Sequence, residues 1–251
     1  MIERAEIDGV AVVRLAHGKV NALDVELLRE IAAVFTDLAG SEHPAVVLTG
    51  AGRSFSAGVD LWRVIEGGAD YVDVFLPALS EALLAVFTLG KPVVAAVNGH
   101  AIAGGAILAC AADHRLMADA GGRIGVTELL VGVPFPPAAL EIVRFGLGET
   151  LARAAVVTGR TFTPAEALGA GFADELVPGG ELLETAVAAA VRLATAVPAD
   201  TFRLTKQQLR LPARERIERD RPVYDQPVRD LWVAGAEDGR LRRFMQGIAA
   251  R

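Results

Sequence analysis

Short, mostly apolar runs alternate with longer amphipathic segments through the first half of the chain. An apolar run bounded by Gly or Pro is typical of a buried strand, whereas apolar residues that recur every three or four positions are typical of a helix. Strands separated by helices favour parallel pairing through crossover connections. The pattern predicts strands at residues 10–15, 45–49, 92–97 and 114–118, and helices at 23–38, 71–89 and 104–112. Asp24 is placed to cap the first helix, and Pro77 to interrupt the second.

Beyond about Pro134 the strand-like runs stop, and helical periodicity dominates to the end of the chain. The segments predicted to be helical are residues 138–145, 149–157, 164–170, 181–196, 199–210, 214–233 and 238–249. The sequence therefore predicts an α/β core followed by a helical region.

Composition narrows the classes of protein that fit this pattern. Apolar residues make up 52% of the 251 residues and charged residues 22%, so a large core can be buried and intrinsic disorder is excluded. The net charge of −6 and the 6% aromatic content argue against a nucleic-acid partner. A single Cys excludes an internal disulfide framework and a zinc site built from cysteines.

A membrane location is also disfavoured by the sequence. Residues 92–112 are long and apolar enough to span a bilayer, but Asn98, Gly99 and His100 interrupt them. A buried strand, a glycine turn and a buried helix explain this segment better. The N-terminal residues carry acids and no long apolar run, which is unlike a secretory signal. We therefore expect a cytoplasmic protein that does not bind a membrane.

Common catalytic motifs are missing from the sequence, and two glycine turns remain as candidates for a functional site. Residues 54–61 and 98–105 each follow a predicted strand, where α/β folds bind their ligands. Backbone N–H groups of two such turns could converge on one anionic oxygen, with the predicted helix at Gly104 contributing its positive end. The alternative is that both segments simply reverse the chain.

Glu128 is the third candidate, because it stands among Ile, Val and Leu residues in the segment 124–130. An acid in apolar surroundings has a raised pKa and can exchange protons near neutral pH. The alternative is a first-turn glutamate that only stabilises a short helix.

Five segments in order and spacing together resemble the crotonase superfamily, over nearly the whole chain. They are residues 18–23 (GKVNAL), 54–61 (SFSAGVDL), 91–113 (KPVVAAVNGHAIAGGAILACAAD), 125–134 (GVTELLVGVP) and 158–177 (TGRTFTPAEALGAGFADELV). The resemblance implies an α/β fold: a spiral of ββα units with a C-terminal helical trimerisation region. It also implies a homotrimer or dimer of trimers. Residues 1–190 would be the core with the acyl-CoA site, and residues 191–251 a helical region for oligomerisation and a lid over the CoA site.

The resemblance also assigns roles to individual residues. Members of this superfamily act on acyl-CoA thioesters and hold the thioester oxygen with two backbone N–H groups. Those donors would be the amides of Val59 and Gly104, and Glu128 would be the acid/base. The positions that would line the CoA pocket are Lys19, Ala22, Ala57, Asp60 and Leu61. Coenzyme A would enter as part of the substrate, and no other cofactor or metal is implied.

One departure from the superfamily pattern bears on the reaction. Enoyl-CoA hydratases use two glutamates, and Ile107 stands where the first would be. Moving a double bond needs only one base, so Glu128 alone fits isomerisation of an enoyl-CoA slightly better than hydration. Glu141 could replace the missing acid, but we expect it to be an exposed helix residue. The alternatives are an enoyl-CoA hydratase of fatty-acid oxidation and a non-catalytic acyl-CoA-binding protein.

Overall fold

The computed structural model describes residues 1–249, in which nine strands and ten helices are found. The strands are β1 (Ile2–Ile7), β2 (Val10–Leu15), β3 (Val46–Gly50), β4 (Ser54–Ser56), β5 (Val93–Val97), β6 (His100–Ile102), β7 (His114–Ala118), β8 (Ile124–Gly125) and β9 (Glu175–Val177). The helices are α1 (Val25–Ala39), α2 (Leu61–Thr88), α3 (Gly104–Cys110), α4 (Glu128–Val131), α5 (Pro137–Leu147), α6 (Glu149–Thr158), α7 (Pro164–Gly169), α8 (Leu182–Ala196), α9 (Ala199–Glu237) and α10 (Arg240–Ala249).

The strands form two sheets that are linked by repeated ββα units. The larger sheet has the order β1-β2-β3-β5-β7-β9, and all its pairs are parallel except β1 with β2. The smaller sheet, β4-β6-β8, is parallel throughout. Each of β3, β5 and β7 is followed by one strand of the smaller sheet and then by a helix. The expected spiral of ββα units with a C-terminal helical region is thus confirmed.

The central strands are apolar because helices cover both faces of the larger sheet. All five residues of β3 and all five of β5 are buried. Side chains on one face, such as Val47 and Val94, pack against α8, and those on the other face join the main core with α1 and α2. Burial on both faces explains why these strands lack alternating polar residues.

The prediction for α1 is confirmed, whereas that for α2 needs correction. Asp24 caps α1 by accepting a hydrogen bond from the Leu27 amide at 2.8 Å. Helix α2 begins at Leu61, ten residues before the predicted start, and contains Pro77 without ending there. Its break lies at Gly68, whose φ of 55° and ψ of −142° are accessible to glycine but costly for other residues.

The C-terminal helices are longer and more tightly joined to the core than predicted. A single 39-residue helix, α9, replaces the two helices predicted at 199–210 and 214–233. It contains Pro212, Pro222 and Pro227, and buries Val228 and Trp232 in the main core. The proposed division after residue 190 falls inside α8 and stays a prediction.

The segment considered for a membrane span is confirmed as buried core, since residues 92–112 contain β5, β6 and α3. Among the described residues, α2 is one helix whose length and apolar composition would allow it to cross a membrane. Half of its most apolar window is buried inside the protein. Helices in the core of proteins outside membranes are often as long and as apolar as α2, so its length and composition do not identify it as a membrane span.

Candidate active site

The carboxyl ends of the three short strands place three segments side by side. Because β6 pairs in parallel with both β4 and β8, the three strands end at the same edge of the small sheet. After these strands, the residues that lead into the next helices are 57–60, Ala103 and 126–127, respectively. The glycine turns 54–61 and 98–105 follow β3 and β5 as predicted, and each contains a strand of the small sheet, β4 or β6, that the sequence did not predict.

The two glycine turns touch each other over backbone atoms. Gly58 has a φ of +87°, and a Cβ atom there would lie 2.5 Å from the Ile102 carbonyl oxygen. A Cβ atom on Gly105 would lie 2.2 Å from the carbonyl oxygen of Ser56. No side chain fits at such distances. Glycine at both positions allows the two turns to lie this close together.

The amides of Val59 and Gly104 have no backbone acceptor among the described residues. Leu23 donates its N–H to the Gly58 carbonyl at 2.7 Å and accepts from the Asp60 amide at 3.0 Å, so the Val59 N–H faces away from Leu23. Gly104 is the first residue of α3 and has no acceptor in its own helix. Within residues 1–249, neither amide has a hydrogen-bond acceptor.

Ala103, which precedes Gly104, has a strained backbone. Its φ of 50° and ψ of −121° are rarely adopted by a residue with a side chain, and cost about 1–3 kcal/mol. Its amide donates to the Gly125 carbonyl at 2.8 Å, and its own carbonyl accepts from the Ile107 amide at 3.1 Å. These bonds hold the strained conformation that turns the chain from β6 into α3.

A cavity of about 630 Å³ opens beside the two turns. Most of its lining side chains are apolar, and Glu128 and Asp60 are the two carboxylates among the described residues that line it. The lining residues are Val20, Ala22, Ala57, Val59, Asp60, Leu61, Trp62, Ile102, Ala103, Thr127, Glu128, Val131, Val133, Thr161, Trp232, Phe244 and Met245.

Glu128 is the chemically distinctive group in this cavity. It is the first residue of the single-turn helix α4 and is only 5% exposed. Among residues 1–249, its Oε2 atom has no hydrogen-bond partner. Burial raises the pKa of the Glu128 carboxyl to about 8, against a smaller opposite effect of its own backbone N–H. A carboxyl of this kind exchanges protons near neutral pH.

The second carboxylate, Asp60, has a structural task. Its Oδ1 accepts a hydrogen bond from the Arg63 amide at 3.2 Å and so caps α2. The side chain is partly exposed, unlike that of Glu128.

Most of the residues chosen from the sequence come together around this cavity. Ala22, Ala57, Val59, Asp60, Leu61 and Glu128 line it. Gly104 is not among the lining residues, but it packs against Leu23 and against Val59, which lines the cavity. Lys19 is exposed and is not among the lining residues.

Two positions considered for a second acid lie elsewhere. Ile107 is 1% exposed, belongs to the main core and is not among the lining residues. Glu141 was expected to be exposed, which is wrong: it is 2% exposed. Its carboxylate accepts hydrogen bonds from Arg144 at 2.7 Å and Arg216 at 2.5 Å. These two ion pairs explain how an acid can be buried in α5.

Residues of the C-terminal helices that the sequence did not single out form one wall of the cavity. Trp232 of α9 and Phe244 and Met245 of α10 all line it. Trp62 and Thr161 are further lining residues that sequence reasoning missed. No local pattern marks these positions, because only the tertiary fold brings residues so far apart in sequence to one cavity.

Comparison with known proteins gives a consistent picture. A family model described as enoyl-CoA hydratase/isomerase matches residues 5–227. A candidate enoyl-CoA hydratase of Thermus thermophilus is 39% identical over 193 residues, which is 75% of each chain. Mitochondrial enoyl-CoA delta isomerase 1 of Homo sapiens is 30% identical over 222 residues, covering 86% of this chain and 73% of that protein.

Solved structures resemble the whole chain as well. The crystal structure of human mitochondrial delta3-delta2-enoyl-CoA isomerase superposes with a TM-score of 0.90 at 27% identity, covering 99% of this chain and 98% of the other. That of a probable enoyl-CoA hydratase of Mycobacterium tuberculosis has a TM-score of 0.80 at 30% identity and covers 100% and 99%. The relatives therefore include proteins named for both reactions.

Proposed function

Since the chain belongs to the enoyl-CoA hydratase/isomerase family, we propose that it converts 3-enoyl-CoA thioesters into 2-enoyl-CoA thioesters, with Glu128 as the base. The observation that carries this proposal is the carboxyl of Glu128, buried in an apolar cavity with one oxygen free. Isomerisation needs one group that can both accept and return a proton. Glu128 fits this requirement without a partner acid.

The proposed reaction proceeds through an enolate. The ionised Glu128 carboxylate takes a proton from C2 of the substrate, and the electron pair of that C–H bond moves toward the thioester carbonyl. The same carboxyl then delivers a proton to C4 as the double bond forms between C2 and C3. No water is consumed, and the atoms of substrate and product balance.

The amides of Val59 and Gly104 are the proposed oxyanion donors in this reaction. Both N–H groups lack a protein acceptor among the described residues, and the two turns that carry them are in direct contact. Donors that are held in place before the reaction cost no reorganisation when charge develops on the thioester oxygen. Lys19, Ala22, Ala57, Asp60 and Leu61 are proposed to hold the coenzyme A portion, and we expect no other cofactor and a cytoplasmic location.

Hydration of 2-enoyl-CoA is the second candidate function. It is favoured by the 39% identity to a candidate enoyl-CoA hydratase. Against it, the position of the first hydratase glutamate holds Ile107, whose side chain is packed in the core away from the cavity. Asp60, the other cavity carboxylate, is engaged in capping α2. Neither residue supplies the second acid that orients water.

A pair of assays distinguishes these functions. The purified protein is incubated in parallel with a 3-enoyl-CoA and with crotonyl-CoA, and the products are separated by chromatography. We expect 2-enoyl-CoA from the first substrate and little 3-hydroxyacyl-CoA from the second. Faster hydration of crotonyl-CoA would overturn the proposal in favour of a hydratase. Tight binding of both thioesters without turnover would identify a non-catalytic acyl-CoA-binding protein.

A further inference from the structure

Two side chains of the C-terminal helices hold the loop that follows the Glu128 helix. The amides of Gly132 and Val133 donate to the Glu128 carbonyl at 3.0 and 3.1 Å, which ties this loop to the acid. Arg240 Nη1 donates to the Gly132 carbonyl at 3.2 Å, and Trp232 Nε1 donates to the Pro134 carbonyl at 2.9 Å. Residues 132–134 are thus fastened to Glu128 on one side and to the C-terminal helices on the other.

The two donors are themselves firmly placed. Asp238 accepts hydrogen bonds from both the backbone N and the Nε of Arg240, each at 2.9 Å. The aliphatic part of Arg240 packs on Gly132, where an added Cβ would lie 2.9 Å from its Cδ. Trp232 is 1% exposed, and its ring centroid lies 5.8 Å from that of Phe75 in α2. A rigid donor can hold the loop in one position.

Helix α4 needs such support because it is very short. It spans four residues, so few hydrogen bonds within the helix can maintain it. The Oε2 atom of Glu128 has no partner within residues 1–249, so the carboxyl is not held by a side-chain hydrogen bond at that atom. The position of the acid therefore depends on what fixes the backbone around it.

We propose that Trp232 and Arg240 are positioning residues, which hold the Glu128 carboxyl at the cavity wall through the loop 132–134. The inference rests on the function proposed above for Glu128. Phe244 and Met245, from the same helix as Arg240, line the cavity. Helices α9 and α10 therefore both line the cavity and hold the loop beside its acid, so that water exclusion and the placement of the base depend on the same two helices.

We expect this positioning role to affect the pH dependence of the reaction. Asp60 is the other titratable group among the described cavity-lining residues, and Arg240 of α10 is the charged residue that donates to the loop. Since burial dominates the raised pKa of Glu128, loosening the loop admits water and lowers that pKa from about 8 toward its usual value near 4.5. A residue that only stabilises the fold would leave this pKa unchanged.

The test compares Trp232→Phe, Arg240→Met and Arg240→Lys with Arg243→Met as a matched control. Arg243 is a neighbouring residue of α10 that donates to the Asp238 carbonyl at 3.1 Å, not to the loop. For each variant, kcat and KM with a 3-enoyl-CoA are measured from pH 5 to 10. The carboxyl of Glu128 is titrated separately by 13C NMR, with its signal identified by its loss in Glu128→Gln.

We expect Trp232→Phe and Arg240→Met to lower kcat at pH 9 by about 10- to 100-fold, the effect of a small displacement of a reacting group. The midpoint of the NMR titration and of the pH profile should fall below about 8 in both. KM should change less than kcat, Arg240→Lys should restore part of kcat, and Arg243→Met should behave as the unmodified protein.

Folded variants that keep both the kcat and the Glu128 titration of the unmodified protein would overturn the inference. An equal change in Arg243→Met would also overturn it, because the effect would then be general anchoring of α10. The two proposals fail separately in this design. A shifted titration in a protein that turns over neither thioester would support the positioning role and refute the proposed reaction.

Discussion

Glu128 is a buried titratable residue that lines the cavity, and it is the proposed base. Its neighbours in sequence are apolar, which was the reason to expect a raised pKa, and its 5% exposure agrees with that expectation. The free Oε2 atom could not be anticipated, because it depends on which groups the fold brings near the carboxyl. Glu30 in α1 also has a carboxylate oxygen without a hydrogen bond among the described residues, but that oxygen lies 3.5 Å from the N-terminal ammonium group and Glu30 does not line the cavity.

Replacing Glu128 by Gln tests the proposed base while keeping the shape of the side chain. We expect turnover of a 3-enoyl-CoA to fall about 100- to 10,000-fold, as for the loss of a general acid/base, with nearly unchanged acyl-CoA binding by calorimetry. Glu30→Gln is the control, since it makes the same change at a carboxylate that also lacks a hydrogen bond but does not line the cavity. Near-normal turnover in Glu128→Gln would refute the assignment.

The raised pKa of Glu128 also predicts how stability depends on pH. Between its usual value near 4.5 and about 8, the unfolded chain loses the Glu128 proton while the folded protein keeps it. The stability that this group contributes is therefore complete below pH 4.5 and lost as the pH rises to about 8, a loss on the order of 5 kcal/mol at most. Urea denaturation of the unmodified protein and of Glu128→Gln measures it: the variant should lack this part of the decline. Parallel curves for the two proteins would contradict the prediction.

At the scale of single elements, long apolar patterns were predictable and short strands were not. Residues 10–15 and 114–118 form β2 and β7 as predicted, and most of their side chains are apolar and buried. Strands β4, β6 and β8 have only two or three residues, too few to show a period. The repeated ββα unit could therefore not be inferred from local patterns and was expected only from the superfamily resemblance.

The close contact of the two glycine turns gives a prediction at this scale. A methyl group on Gly105 meets the backbone oxygen of Ser56 at 2.2 Å, which can be relieved only if a strand of the small sheet moves. One on Gly104 meets the end of the flexible Leu23 side chain at 2.8 Å, which can turn aside. We expect Gly105→Ala to lower the free energy of unfolding by about 1–3 kcal/mol or more, and Gly104→Ala to cost less. Chemical denaturation of both variants provides the comparison, and equal losses would show that the turns can separate without strain.

At the scale of the whole molecule, the C-terminal helices form part of the cavity wall and also expose large apolar side chains at the surface. The sequence predicted that residues beyond 190 are helical and cover the CoA site, but not which side chains reach the cavity. Trp232 could not be assigned because its partner, the Pro134 carbonyl, is about a hundred positions away in the chain. Contacts between such distant segments are set by the packing of α9 on α2 and α5, which the helical period alone does not determine.

The outer side of α9 leads to the last prediction, that the protein is a trimer or a multiple of a trimer. Among the described residues, large apolar side chains of this helix are exposed in the single chain, as expected for a surface that another subunit covers. They include Leu204, Leu209, Leu211, Val223, Tyr224 and Leu231.

Multi-angle light scattering at micromolar concentration should give the mass of three chains or a multiple. Leu209→Lys, at a position that is 64% exposed, should shift the mass toward the monomer without loss of helix content. Leu168→Lys in α7 is the control for an exposed leucine elsewhere and should leave the mass unchanged. A stable monomer of the unmodified protein would show that this apolar face is not a subunit interface.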